Sequence, residues 1–171
     1  MKVFHFKISF LLCSISRSST DCNHLAASCK LHTVKFPICE KKSQIFIDPL
    51  AQTRLLITDV DGVLTDGSII LSASGDDVKH FDVQDGMGVT LARAAGLKVG
   101  ILTGRTSMAV QKRAEELKID ELMQGYFHKT EGLDALLEKL GISCEQIGYI
   151  GDDILDLPVM RKIGLPIAVA N

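Results

Sequence analysis

Two carboxylates spaced by two, Asp59 and Asp61, close the short apolar run Leu55-Leu56-Ile57 and are followed at once by Gly62. Side chains alternate along a strand, so Asp59 and Asp61 can project to one side while Val60 turns away. Gly62 lets the chain leave the strand sharply and lets backbone amides come close to a ligand. Further groups able to do chemistry follow in order: Thr103 in Leu102-Thr103-Gly104-Arg105, Lys129, and the acidic run Gly151-Asp152-Asp153-Ile154-Leu155-Asp156. Thr103 and the acidic run again lie just beyond apolar strands, at the carboxyl ends where open α/β sheets hold their ligands. A bare Asp-x-Asp serves equally well as a polar strand end capping the next turn. Four such pieces in a workable order favour a functional site.

The elements that must position these groups alternate between strand and helix. The first strand ends at Asp59, and two β-rich stretches, Ser68–Ser72 and Val78–Phe81, flank a Gly-Asp turn and read as a hairpin. Asp85-Gly86 opens a helix to Ala95, stopped by Gly96, and Lys98–Thr103 forms the next strand. Ser107 caps a helix to Lys118, with Val110, Ala114 and Leu117 on one face. Leu122–Phe127 reads as a short strand, and Thr130–Leu140 as a helix with Leu133, Leu136, Leu137 and Leu140 buried. Ile147–Ile150 is a strand, Asp156–Ile163 a short helix interrupted near Pro158, and Ile167–Ala170 a last strand. This order implies an α/β, Rossmann-like parallel sheet with flanking helices and a β-hairpin inserted after the first strand.

Composition sets outer bounds. The 171 residues suit one ordinary domain, and 46% apolar content with no Trp suits an aliphatic interior. The net charge of −2 hides an asymmetry: residues 1–50 carry about +4 and the rest about −6. An acidic body without a basic cluster argues against nucleic acid, and an anionic substrate would have to be met by local charges and a metal. Four of the five cysteines, Cys13, Cys22, Cys29 and Cys39, precede the body, so no disulfide framework is expected and the thiols read as reduced. Cys22, His24, Cys29 and His32 do not match a familiar zinc spacing. Residues 1–46 differ in style from the body and read as an N-terminal extension outside the domain. The alternative is a weak targeting segment around Ile8–Ile15, an apolar run too short to span a bilayer. The expected location is cytoplasmic, with no membrane partner.

The four pieces resemble the motifs of the haloacid dehalogenase superfamily, whose phosphatases use an aspartate nucleophile and magnesium. More narrowly, Asp59-Val60-Asp61-Gly62-Val63-Leu64-Thr65-Asp66-Gly67, Phe81-Asp82-Val83-Gln84-Asp85-Gly86, Ile101-Leu102-Thr103-Gly104-Arg105 and Tyr149-Ile150-Gly151-Asp152-Asp153 are similar to 3-deoxy-D-manno-octulosonate 8-phosphate phosphatases. The resemblance runs from Leu55 to Asn171 and implies a Mg²⁺-dependent hydrolase of a sugar-acid phosphate in lipopolysaccharide precursor synthesis. It implies that Asp59 and Asp152, with the Asp61 backbone carbonyl, bind Mg²⁺. Asp59 would attack phosphorus to give an aspartyl-phosphate, and Asp61 would serve as acid and then base. Thr103, the Gly104 amide and Lys129 would hold phosphate oxygens, beside Asp61 and Gly62, while Asp153 and Asp156 would orient Lys129 or metal waters. Arg105 is a candidate to hold a sugar carboxylate bidentately. Lys129 is singled out only by its place in the motif order, and His128 stands where the family often has Asp or Asn.

Only about twenty residues separate Gly62 from Asp82, room for a hairpin and not for an inserted lid. In the resembling family such hairpins assemble a homotetramer whose neighbouring subunits complete the site, and the 68–81 hairpin with its Ile69-Ile70-Leu71 run fits that use. The family usually continues with a further strand, a helix and a glycine-rich tail, so the phosphatase domain, 47–171, reads as C-terminally short. Two other functions stay open at this point: a nine-carbon sialic-acid-type phosphatase, and a catalytically weak oligomerisation module or remnant.

Overall fold

A computed structural model describes residue 49 and residues 51–170, apart from positions 74 and 76. The extension 1–46, with its targeting and cysteine–histidine readings, lies outside the described residues. Five parallel strands form one sheet in the order β5-β4-β1-β6-β7. They are β1 (Leu55–Thr58), β4 (Lys98–Leu102), β5 (Glu121–Met123), β6 (Ile147–Gly151) and β7 (Leu165–Ala168). A separate antiparallel pair, β2 (Ile70–Leu71) and β3 (Asp77–Val78), makes the hairpin between β1 and the first long helix.

β1 is the centre of the sheet, and the physical reason is visible in its residues. A central parallel strand is buried on both faces, so it must be apolar throughout instead of alternating. Leu55 and Ile57 are fully buried on one face with Tyr149, Leu133 and Leu136. Leu56 is buried on the other with Val99, Ile150, Val89 and Ala92. The helices follow these faces: α1 (Val83–Ala94) and α2 (Met108–Leu117) cover the second, α3 (Lys129–Leu140) and the short α4 (Leu157–Met160) the first. Burying each such aliphatic side chain is worth about 1.5–3 kcal/mol, so the β1 residues anchor both layers.

The chain runs outward from β1 to β4 and β5, then returns to lay β6 and β7 on the opposite side of β1. The connections therefore diverge beside β1, and the crevice at its carboxyl end is where such a sheet binds ligands. Register brings the three relevant strand ends to one level: Thr58 pairs with Ile101 on one side and with Ile150 on the other.

Several boundaries differ from the sequence expectation, each for a local reason. α1 starts two residues before Asp85, because the Asp82 side chain accepts from the Gln84 amide and caps the helix there. β5 is shorter than 122–127, since Gly125 adopts φ 80° and the Tyr126 amide turns back to the Thr103 carbonyl. Before Pro158 a 3₁₀ turn, Ile154–Asp156, replaces the start of the expected helix. β7 begins at Leu165, two residues earlier than expected. The hairpin strands are only two residues each, and Leu137 and Leu140 are partly buried where full burial was expected.

Candidate active site

Asp59 follows β1 immediately, and its amide still bonds the Ile150 carbonyl at 2.9 Å, which locks the first carboxylate to β6. Its Oδ1 accepts from the Val60 amide at 2.7 Å, and its Oδ2 lies 2.7 Å from Lys129 Nζ. Lys129 is the first residue of α3, so the helix delivers this ammonium from the face opposite α1. The same Nζ reaches Asp156 Oδ1 at 2.5 Å. Asp156 is fully buried, and its carboxylate is saturated: Tyr149 OH donates at 2.6 Å, and the amides of Asp152 and Asp153 donate at 3.0 and 3.1 Å.

Asp156 is thus an anchor with its lone pairs already committed, holding Lys129 against Asp59. A buried carboxylate survives only when paired and hydrogen-bonded in this way. Tyr149, which sequence reasoning missed, sits fully buried in β6. Burial first, and then Asp156, push its hydroxyl above the ordinary range, so it remains a proton donor. Nothing in the local pattern sets this tyrosine apart from the apolar strand around it.

Burial lifts the Asp59 carboxyl to about 6, although Lys129 pulls the other way. Burial would lower Lys129, but the charges and hydrogen bonds of Asp59 and Asp156 outweigh it and hold the ammonium above its usual value. Asp152 is raised, by burial and by the carboxylates of Asp156 and Asp153. Asp156 feels burial too, yet hydrogen bonds from Lys129 and Tyr149 keep it below the usual range.

Ligand-capable oxygens of Asp59, Asp152 and Asp156 all lie within 4.8 Å of one another. Three carboxylates gather here, and Lys129 pairs with two of them, Asp59 and Asp156. The donor set is all hard oxygen, which fits Mg²⁺ and not a softer ion. Since Asp156 is saturated from within, Asp59 and Asp152 are the residues fitted to hold such an ion. The Asp152 carboxylate lies against Gly62, in space that a side chain at position 62 would fill. Gly62 also has φ 84°, so glycine serves both the turn and the close approach.

The remaining sequence candidates fall around this centre. Thr103 is 2% exposed at the end of β4, held by its amide on the Met123 carbonyl at 3.0 Å. Gly104 follows half-buried, and Arg105 is exposed in the same loop. Asp153 is exposed and caps the 3₁₀ turn, its side chain accepting from the Ile154 amide within the turn and not reaching toward Lys129. Asp61 is half-buried, and its Oδ1 meets Lys79 Nζ at 2.5 Å. The sequence reading did not single out Lys79. A signal existed, because Asp77 and Lys79 are two apart in a β segment and so share a side.

Comparison with known proteins bears on the family and the fold. Residues 119–171 match a family of haloacid dehalogenase-like hydrolases. The chain is 47% identical over 118 residues to the 3-deoxy-D-manno-octulosonate 8-phosphate phosphatase of Escherichia coli K12, covering 69% of this chain. It spans 63% of the length of that relative. The phosphatase structure from Yersinia pestis superposes with a TM-score of 0.69 at 41% identity, over 72% of this chain and 67% of that one. The Moraxella catarrhalis enzyme, solved with a magnesium ion, phosphate and KDO, gives a TM-score of 0.70 at 40% identity, over 74% of this chain and 72% of that one. The chain belongs to the 3-deoxy-D-manno-octulosonate 8-phosphate phosphatase family of haloacid dehalogenase-like hydrolases.

Proposed function

We propose that this protein hydrolyses a phosphomonoester of a keto sugar acid, 3-deoxy-D-manno-octulosonate 8-phosphate, in lipopolysaccharide precursor synthesis. The observation that carries the reading is the Asp59–Lys129–Asp156 chain at the carboxyl end of β1, with Asp152 beside it. The identity to phosphatases of that substrate, and the relative solved with KDO, support the choice of sugar.

Mg²⁺ held by Asp59, the Asp61 carbonyl and Asp152 would offset the repulsion between carboxylate and phosphate, about 4 kcal/mol per like-charge pair at ~4 Å and an effective dielectric of ~20. Asp59 Oδ attacks phosphorus as the ester P–O bond breaks, giving an aspartyl-phosphate. Asp61 gives a proton to the departing sugar oxygen, then takes one from the water that hydrolyses the intermediate. Lys129, clamped by Asp156, presents fixed positive charge to the phosphoryl oxygens without having to reorganise. Thr103 and the Gly104 amide donate to the same oxygens, with Gly62 leaving room for their approach. Arg105, exposed in the loop after β4, would meet the sugar carboxylate.

The assembly belongs to the same proposal. Ile69, Ile70, Leu71 and Val78 of the hairpin are 64%, 50%, 62% and 50% exposed, and an isolated two-stranded ribbon this short is marginal in water. Burial of the 68–81 hairpin between subunits, in a homotetramer, would add to that ribbon's order. Among the described residues no helix is long and apolar enough to cross a membrane. We place the enzyme in the cytoplasm, where a soluble sugar phosphate is met.

The test is phosphate release from a panel of sugar phosphates, with and without Mg²⁺. The expected result is fastest release from the eight-carbon ester, lost on chelation. Preference for a nine-carbon sialic-acid-type ester would move the substrate assignment. Absence of turnover on every ester would sink the enzymatic reading.

A further inference from the structure

Lys79 stands just beyond β3, far from the four motifs in sequence, yet its side chain is 4% exposed and ends on Asp61 Oδ1 at 2.5 Å. Burying a long cationic side chain is costly unless carboxylates receive it. Two do so here. Asp77 Oδ2 lies 3.4 Å from the same ammonium, an ion-pair distance too long for a good hydrogen bond, and this buried oxygen has no hydrogen-bond donor among the described residues. Asp77 Oδ1 accepts from Ser107 Oγ at 2.8 Å. Ser107 is in turn the N-cap of α2, accepting from the Val110 amide, and its own amide donates to Gln124. Burial pushes Asp77 up, but the hydrogen bond from Ser107 and the charges of Lys79 and Arg105 hold it below the usual range.

The hairpin is therefore tied at two points to the rim of the site. One tie reaches the turn after β1 through Lys79 and Asp61, the other the loop after β4 through Asp77 and Ser107. The Lys79 ammonium occupies one oxygen of Asp61 and leaves Oδ2 as the oxygen able to carry a transferable proton. Charge-assisted bonds of this length fix direction as well as distance.

We infer that Lys79 is a positioning residue for Asp61: by engaging Oδ1 from a buried position, it aims Oδ2 at the leaving-group oxygen. The inference rests on the phosphatase reading above. As the Asp59 O–P bond forms and the ester P–O bond breaks, the proton on Asp61 Oδ2 passes to the departing oxygen, and Lys79 keeps its own protons throughout. Asp77 and Ser107 act one step back, holding Lys79 in line.

A leaving group that needs no proton separates this role from a merely structural one. kcat/KM, which reports the steps up to loss of the leaving group, is measured with Mg²⁺ on the full chain for two esters. They are 3-deoxy-D-manno-octulosonate 8-phosphate, whose alkoxide must be protonated, and p-nitrophenyl phosphate, whose phenolate leaves unaided. General-acid help is worth about 10²–10⁴-fold, and mispositioning forfeits part of it. Lys79→Met should lower kcat/KM for the sugar ester by about 10–100-fold, through kcat with KM held, while the aryl ester stays within about threefold. Lys79→Arg, which can still donate to Oδ1, should recover most of the loss. Should Lys79→Met fail to fold, as judged by circular dichroism, Asp77→Asn should give the same ester-selective pattern at about three- to tenfold. Equal losses on both esters, or none on the sugar ester, overturn the role of Lys79 and leave the phosphatase reading standing. Wild-type protein inert toward both esters overturns the phosphatase reading, and the role of Lys79 with it.

Discussion

Gly62 and Asp152 share one space: the Asp152 carboxylate occupies the position that a side chain on residue 62 would take. Residue 62 also has φ 84°, a left-handed backbone that strains any other residue. Gly62→Ala should therefore displace Asp152 as well as strain the turn. We expect a loss of about 1–3 kcal/mol in stability and at least a tenfold weakening of Mg²⁺ binding, read by denaturant melts and calorimetry. Unchanged metal affinity would show that Asp152 does not need this close approach.

Asp59→Asn removes the proposed nucleophile with little change of shape. The amide cannot attack phosphorus or bind Mg²⁺ as an anion, so turnover should fall below detection while the circular dichroism spectrum is preserved. Retained activity in that variant contradicts the covalent mechanism.

Asp156 holds Lys129, Tyr149 and two backbone amides from full burial. Asp156→Asn takes one charge from a buried pair and leaves the other, a loss of about 3 kcal/mol and roughly 10 °C in Tm. Activity should fall with it, because Lys129 then has only Asp59 to orient it. A variant that melts like the wild type would mean that water already shields this pair.

Burial lifts the Asp85 carboxyl from 3.8 to about 7, with Asp82 adding to the rise and Arg113 opposing it. A carboxyl raised on folding favours the folded state at pH values below its unfolded pKa, and that contribution disappears as pH climbs through about 7. Asp85→Asn, which cannot ionise, should leave stability near pH 4 almost unchanged. Near pH 8 it should raise stability by about 2 kcal/mol, less than the full shift implies because the first turn of α1 favours negative charge. Paired thermal melts at the two pH values read this directly, and a gain confined to acid pH would reverse the assignment.

Ile70 is 50% exposed on the two-stranded ribbon. Ile70→Asp should place a charge in the proposed subunit contact, dissociate the oligomer in sedimentation and lower activity. A fully active wild-type monomer would remove the basis for that contact.

Much of the site was legible because a parallel α/β sheet writes itself locally. Leu55-Leu56-Ile57 must be apolar at every position to serve a strand covered on both faces, so the break at Asp59 marks the strand end without reference to anything distant. The same local rule located Thr103 and Asp152, and Ser107 and Gly96 marked helix ends through capping chemistry. The Asp61–Lys79 pair spans 18 residues and the Lys129–Asp156 pair 27, and no periodicity encodes which charge meets which. Those pairings depend on strand order and on helix α3 arriving beside β1, as does the duty of Tyr149, which in sequence is one more residue of a buried strand. Local chemistry named the groups at the strand ends. Only packing decided that Asp156 would be saturated from within, leaving Asp59 and Asp152 as the carboxylates proposed to face a metal, because the lone pairs of a buried carboxylate go to whatever donors the fold brings within reach.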